Sequence, residues 1–229
     1  MSRRFAMERT LAERLHRGDP CWPPQLAVAV AIGLHFGLSD KLLIGPAWVL
    51  PTIEAGLLVI LVFVVRGEDA PPKGMRHPRR MLALGVTGFV SLATVVSLVL
   101  LIDRLVNGGG NISGHRLIGS GALLWLTLVL LFAVWYWEMD RRDPDRPRPA
   151  DIPPDFWFAR MDHDEKPWGA NWRPQFGDYL YLSLTNAVAF SPTDTMPLTR
   201  SAKIVMGVQS IAALATIGLV IARAVNVLG

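Results

Sequence analysis

Apolar residues in this chain are gathered into blocks too long and too uninterrupted for a water-soluble core, and that limits the fold more than any other feature. The blocks run from about Pro24 to Leu38, Pro46 to Val65, Met81 to Ile102, Leu117 to Trp137 and Lys203 to Leu228. A helix needs about 20 such residues to cross a hydrocarbon layer about 30 Å thick. Four blocks reach that length, and the first, at about 15 residues, falls short. Backbone donors and acceptors have no water to bind at that depth, so helices that satisfy their own hydrogen bonds are the expected elements. With 51% of the residues apolar, the sequence predicts an all-α integral membrane protein of about five transmembrane helices.

Between the last two blocks, DYLYLSLTNAVAFSPTDTMPLTRSAK reads as a half-membrane segment. Asp178 to Phe190 is about 13 residues, or roughly 20 Å of helix. It then breaks at Ser191-Pro192. The expectation is a C-terminal re-entrant or interfacial half-helix, with the turn from Ser191 to Pro197 as the candidate functional surface.

The net charge of +4 comes from basic residues that flank the apolar blocks, a pattern that sets membrane orientation and does not call for nucleic acid. Arg3, Arg4, Arg9, Arg14 and Arg17 precede the first block; Arg66, Lys73, Arg76, Arg79 and Arg80 lie between the second and third; Arg141, Arg142, Arg146 and Arg148 follow the fourth. Those three segments are expected to be cytoplasmic, which puts the N-terminus inside at a bacterial inner membrane. The short helix decides where Arg200 and Lys203 fall. If it re-enters and returns they lie inside, as the charge rule requires; if it crosses they lie outside. The organisation expected is a cytoplasmic segment 1–23, a four-helix region 24–137, a Pro- and Trp-rich cytoplasmic loop 138–176 that buries little, and the re-entrant segment with the terminal helix at 177–229. The expected partners are the lipid bilayer and further copies of the chain. An Arg-rich start with no small-residue cleavage site after the first block reads as retained, and Cys21, the one cysteine, as an inert thiol.

Glu54 would lie about 18 Å from Arg66, near the middle of the second span, where an ionisable group is expensive unless it faces protein or water. Two readings stand: proton or cation handling, and a protonated carboxyl bonded to a neighbouring helix or set in the headgroups. After Asp178, the groups Ser183, Thr185, Asn186, Ser191, Thr193, Asp194 and Thr195 offer a dense set of oxygens that suits a hard cation or its hydration shell. The same residues form turns and caps, with Thr199 placed to cap the last helix. His35 reads as interfacial. Thr87, Ser91, Thr94 and Ser97 share one face of the third span, and Gln209, Thr216 and Arg223 recur on the last helix, where interhelical hydrogen bonding is the expected use.

There is no glycine-rich phosphate loop, no paired Cys or His at metal spacing and no serine elbow, so no catalytic residue, cofactor or metal ligand is assigned. Asp162-His163-Asp164-Glu165 reads as a solvated run. Over nearly its whole length the chain resembles bacterial inner-membrane proteins of similar size known only as a domain of unknown function, through Asp178, Tyr181, Ser183, Thr185 and Ala224-Val225-Asn226. That likeness implies a fold and no activity. More locally, YLSLTNAVAFSPTDTMPLT looks like the pore helix and filter turn of tetrameric cation channels, with Thr185, Val188, Phe190, Asp194 and Pro197 in similar order. Ala189 and Ser191 stand where the filter glycines would be. The resemblance implies a channel-like or permeation module for small ions; the other reading is a non-transporting membrane scaffold or stress-response protein.

Overall fold

The computed structural model describes residues 22–38, 52–53, 56, 76–106, 114–140, 153–163, 172–189 and 194–228. Most of them are helical, and the apolar runs explain why. Leu84–Asp103, Ile118–Asp140 and Arg200–Ala222 are long and apolar enough to cross a membrane, while Pro23–His35 is a shorter apolar helix. They belong to α1 (Trp22–His35), α2 (Arg76–Val106), α3 (Gly114–Asp140) and, after the short α4 (Phe176–Ala189), to α5 (Arg200–Leu228). The second apolar block lies almost wholly outside the described residues.

Local chemistry sets the helix ends. Pro23 and Pro24 open α1, where a missing N–H costs little. After His35 the helix tightens: Phe36 N donates to Gly33 O, Gly37 N to Leu34 O and Leu38 N to His35 O, satisfying carbonyls that would otherwise be orphaned. A Cβ at Gly37 would lie 2.8 Å from Leu123 Cδ1 on α3 and 3.3 Å from Leu34 O, so the chain passes close to α3 here. Thr199 caps α5 as expected, with Ala202 N donating to its Oγ1 at 3.3 Å.

The third helix is the centre of the bundle. Ala27, Val28 and Ile32 of α1, Val86 and Val90 of α2, and Met206 of α5 pack with Val134, Tyr136 and Trp137 near the Asp140 end of α3. Leu38, Leu98 and Leu101 pack with Leu124 and Leu128 toward the opposite end. Thus α1, α2 and α5 all run away from the Asp140 end, antiparallel to α3. Gly121 completes the α3–α5 contact, since a methyl group there would overlap Val220. Because α1 and α2 are parallel, the chain between Leu38 and Arg76 has opposite ends of the bundle to join.

The described residues are mostly helical, consistent with the all-α expectation, with one small antiparallel sheet added, β1 (Phe156–Phe158) with β2 (Thr195–Pro197), in the register Phe156↔Pro197, Trp157↔Met196 and Phe158↔Thr195. One expectation changes. The stretch read as a loop with little core also contributes to the interior. Phe156 and Phe158 are buried, and a 3₁₀ turn, Ala159–His163, follows them. Edge-to-face contacts join Phe156 to Tyr136 and Tyr179, and Phe158 to Tyr179 and Trp172. The apolar alternate residues of a three-residue strand suffice for this, and composition averaged over a Pro-rich loop hides them.

Candidate functional site

A 14-residue helix α4, flanked by chain that begins and returns at one end of the bundle, is the feature most unlike an ordinary helical packing. Its N-terminal turn is tied to the Asp140 end of α3: Tyr179 Oη donates to Asp140 Oδ2 at 2.7 Å. The chain that follows α4 is tied to the same place. Asp155 N donates to Asp140 Oδ1 at 2.9 Å, Leu198 N donates to Asp155 O, Ala159 N donates to Asp194 O, and Thr199 Oγ1 donates to Asp155 Oδ1 at 2.5 Å. Between these ties α4 reaches Ala187, which packs on Val129 and Ala213. Val129 stands midway along Ile118–Asp140, and Ala213 lies two residues past the midpoint of Arg200–Ala222. So α4 penetrates to about half the depth of its neighbours and stops.

A buried hydrogen-bond network holds it there. Ser183 Oγ donates to Val129 O at 2.7 Å, and Gln209 Nε2 donates to both Ser183 O at 2.9 Å and Ser183 Oγ at 2.7 Å. Asn186 Nδ2 donates to Met206 O at 3.0 Å and to Gln209 Oε1 at 2.9 Å, with Tyr136 Oη at 3.3 Å. Tyr136 Oη donates to Gln209 Oε1 through a short contact, and Ser210 Oγ reaches Asn186 Oδ1 at 3.1 Å and Met206 O at 3.0 Å. The orientation of the Gln209 amide follows from this arrangement, because turning it over would set its carbonyl against the Ser183 carbonyl. Every polar side-chain atom of Ser183, Asn186 and Gln209 is engaged, which in a low-dielectric interior rigidifies the junction of α3, α4 and α5.

The predicted site residues therefore separate. Ser183 and Asn186 come together in the network, fully buried, where they fasten helices. Thr185 is half-buried and turns its hydroxyl back to Tyr181 O and Leu182 O, both at 3.0 Å. Asp194 is exposed at the start of the returning strand, and Thr195 is buried within β2 opposite Phe158. Glu54, Ser191 and Thr193 lie outside the described residues. Of the polar stripes, Ser91 bonds between helices as expected, Trp135 Nε1 donating to its Oγ at 3.0 Å, and Gln209 joins the network above, whereas Thr216 Oγ1 turns back on its own helix to Ala212 O at 2.7 Å.

Sequence reasoning missed Tyr136, Asp140, Asp155 and Ser210 as members of the site, and misplaced His35. That histidine is fully buried, with Nε2 3.2 Å from Thr94 Oγ1, itself 2.8 Å from Val90 O and at mid-length of the apolar stretch of α2. The Thr94 hydroxyl has one proton, and Val90 O can only accept. His35 Nε2–H is therefore the donor to Thr94. The signals for Tyr136 and Asp140 were present in WYWEMD, where a tyrosine and an acid four residues apart share a helix face at the edge of an apolar block.

A cleft of about 280 Å³ between α3 and α5, lined by Gly121, Trp125, Thr216 and Val220 among others, presents a wholly apolar wall and is no path for an ion. No protein family, curated protein or solved structure matches the chain.

Proposed function

We propose that the chain is a polytopic protein of the bacterial inner membrane, N-terminus in the cytoplasm, that assembles as a homo-oligomer and serves as a channel-like permeation module for small ions. The observation that carries this reading is the return of the chain to the Asp140 end after α4 has reached half depth between two full-length helices, α3 and α5. In a bilayer that arrangement is a re-entrant half-helix. Irregular backbone at such depth is tolerated where it lines a protein or water-filled space. The Asp140 end is the one that the flanking Arg runs assign to the cytoplasm, and Arg200 and Lys203 then also lie inside. Five crossings follow, the second supplied by the block Pro46 to Val65, since parallel α1 and α2 call for a return between them.

Within this reading the residues divide their work. Ser183 and Asn186 hold α4 in place, while Asp194 and the turn before it, with Ser191 and Thr193, present oxygens to the path, and Glu54 supplies an ionisable group at depth. The sides of α4 and α5 that one chain leaves open are apolar, Tyr181, Leu184 and Val188 on α4 and Leu214 on α5, and serve as the contact between copies. Purified protein in liposomes is expected to pass a monovalent cation, and Asp194→Asn to lower the flux severalfold. Absence of flux from correctly inserted protein would favour the second reading, a non-transporting scaffold. One observation speaks for that alternative: the polar network on α4 is already saturated by α3 and α5 and leaves no group of Ser183 or Asn186 for a solute.

A further inference from the structure

From the uneven covering of the helices we infer that the outer face of α5, beneath Arg200 and Lys203, binds an anionic phospholipid. The inference rests on membrane insertion and not on ion permeation. Only 22% of the apolar stretch of α5 is buried, against 44% for α2 and 50% for α3, so this helix gives most of its surface to whatever surrounds the molecule. That surface is ordered by polarity. Arg200 and Lys203 are exposed in the first turn, and among the described residues neither forms an ion pair. Below Arg200, Ile204, Val208 and Ile211, at 66%, 54% and 72% exposure, continue on its side of the helix at steps of four, four and three residues, and Lys203 stands at the edge of that face, roughly 80° around the helix from Ile211. Lys203 to Ile211 spans about 12 Å along the axis. Two cations above an apolar track of that length complement an acidic headgroup above an acyl chain.

The apolar track alone would accept any lipid; the cations select charge. Arg160 differs, since its guanidinium lies 5.5 Å from the Trp172 ring centroid and is engaged there, while Asp194, the residue before β2, is an exposed acid on the same returning chain. Each cation near an anionic headgroup is worth about a fivefold preference, so the pair gives about thirtyfold.

The test uses the full chain in detergent with equimolar phosphatidylglycerol and phosphatidylcholine, reading retained lipid by native mass spectrometry. Wild type is expected to retain phosphatidylglycerol preferentially, R200Q/K203Q to lose about thirtyfold of that preference, and R160Q and the charge-keeping R200K/K203R to retain it. If the double variant does not fold, R200Q and K203Q singly decide, each with an expected loss of about fivefold. Equal retention of the two lipids by wild type, or a preference that survives R200Q/K203Q, overturns the assignment. Competition by water-soluble glycerol phosphate as effective as the lipid itself would also overturn it, by reducing the surface to a free-anion site.

Discussion

Gln209 and Asn186 are the residues whose removal should be felt most. Each is buried, and each serves several partners: Gln209 bridges Tyr136, Asn186 and Ser183, while Asn186 bridges Met206, Gln209 and Ser210. A single intramolecular hydrogen bond contributes only about 0.5–1.5 kcal/mol net, so no one contact fixes α4. The cost of a single leucine substitution comes from what it strands, since a buried amide or hydroxyl left without a partner costs about 1–3 kcal/mol. Gln209→Leu and Asn186→Leu are therefore each expected to destabilise by about 2 kcal/mol in reversible unfolding. The double variant should cost clearly less than their sum, because each single change already orphans the other residue. Strict additivity in that cycle would mean that the two amides act separately and that the network is not a unit.

At the scale of elements, Asp155 joins three of them: its backbone N–H meets the C-terminus of α3, its carbonyl receives Leu198 after β2, and its carboxylate receives the Thr199 cap of α5. The β1–β2 pair it anchors holds down the chain returning from α4. Asp155→Ala keeps the backbone contacts possible but removes the acceptor for Thr199, so hydrogen exchange at Ala159, Leu198 and Ala202 is expected to accelerate about tenfold, corresponding to one lost charged hydrogen bond of about 1.5 kcal/mol. Asp155→Asn, which retains an acceptor oxygen, should exchange nearly as wild type. Unchanged exchange in both would remove Asp155 from this role. The helices around this strap were legible in the sequence because unbroken apolar length is a local property, and α4 because its length is too short for a crossing. The strap was not: Phe156 and Phe158 find their partners at Pro197 and Thr195, far along the chain, and three-residue strands have no period to read. Ser183 and Asn186 were visible as polar residues on an apolar helix. Whether they face a path or a neighbour depends on Val129, Tyr136 and Gln209, which only the fold brings to them.

At the scale of the whole molecule, the proposed membrane reading turns on one topological choice, because in it the side on which α5 begins fixes where Asp194, Arg200, Lys203 and the C-terminus lie. The ties of Tyr179 to Asp140 and of Thr199 through Asp155 to Asp140 place both flanks of α4 together. In the proposed membrane reading that arrangement corresponds to five crossings and not six. Single cysteines in a Cys21→Ser background report this directly when a membrane-impermeant maleimide is added to spheroplasts. Asp194 is the informative position, being exposed on the returning chain; Thr195, buried against the bundle, would resist labelling in either topology. Asp151 precedes the strap, and Gly229 follows the full length of α5. The expected pattern is protection at Asp151 and Asp194 with labelling at Gly229, and labelling at all three once the membrane is permeabilised. Labelling at Asp194 with protection at Gly229 in intact spheroplasts would carry α4 across the bilayer, move Arg200 and Lys203 outside against the charge rule, and remove the half-helix on which the permeation reading stands.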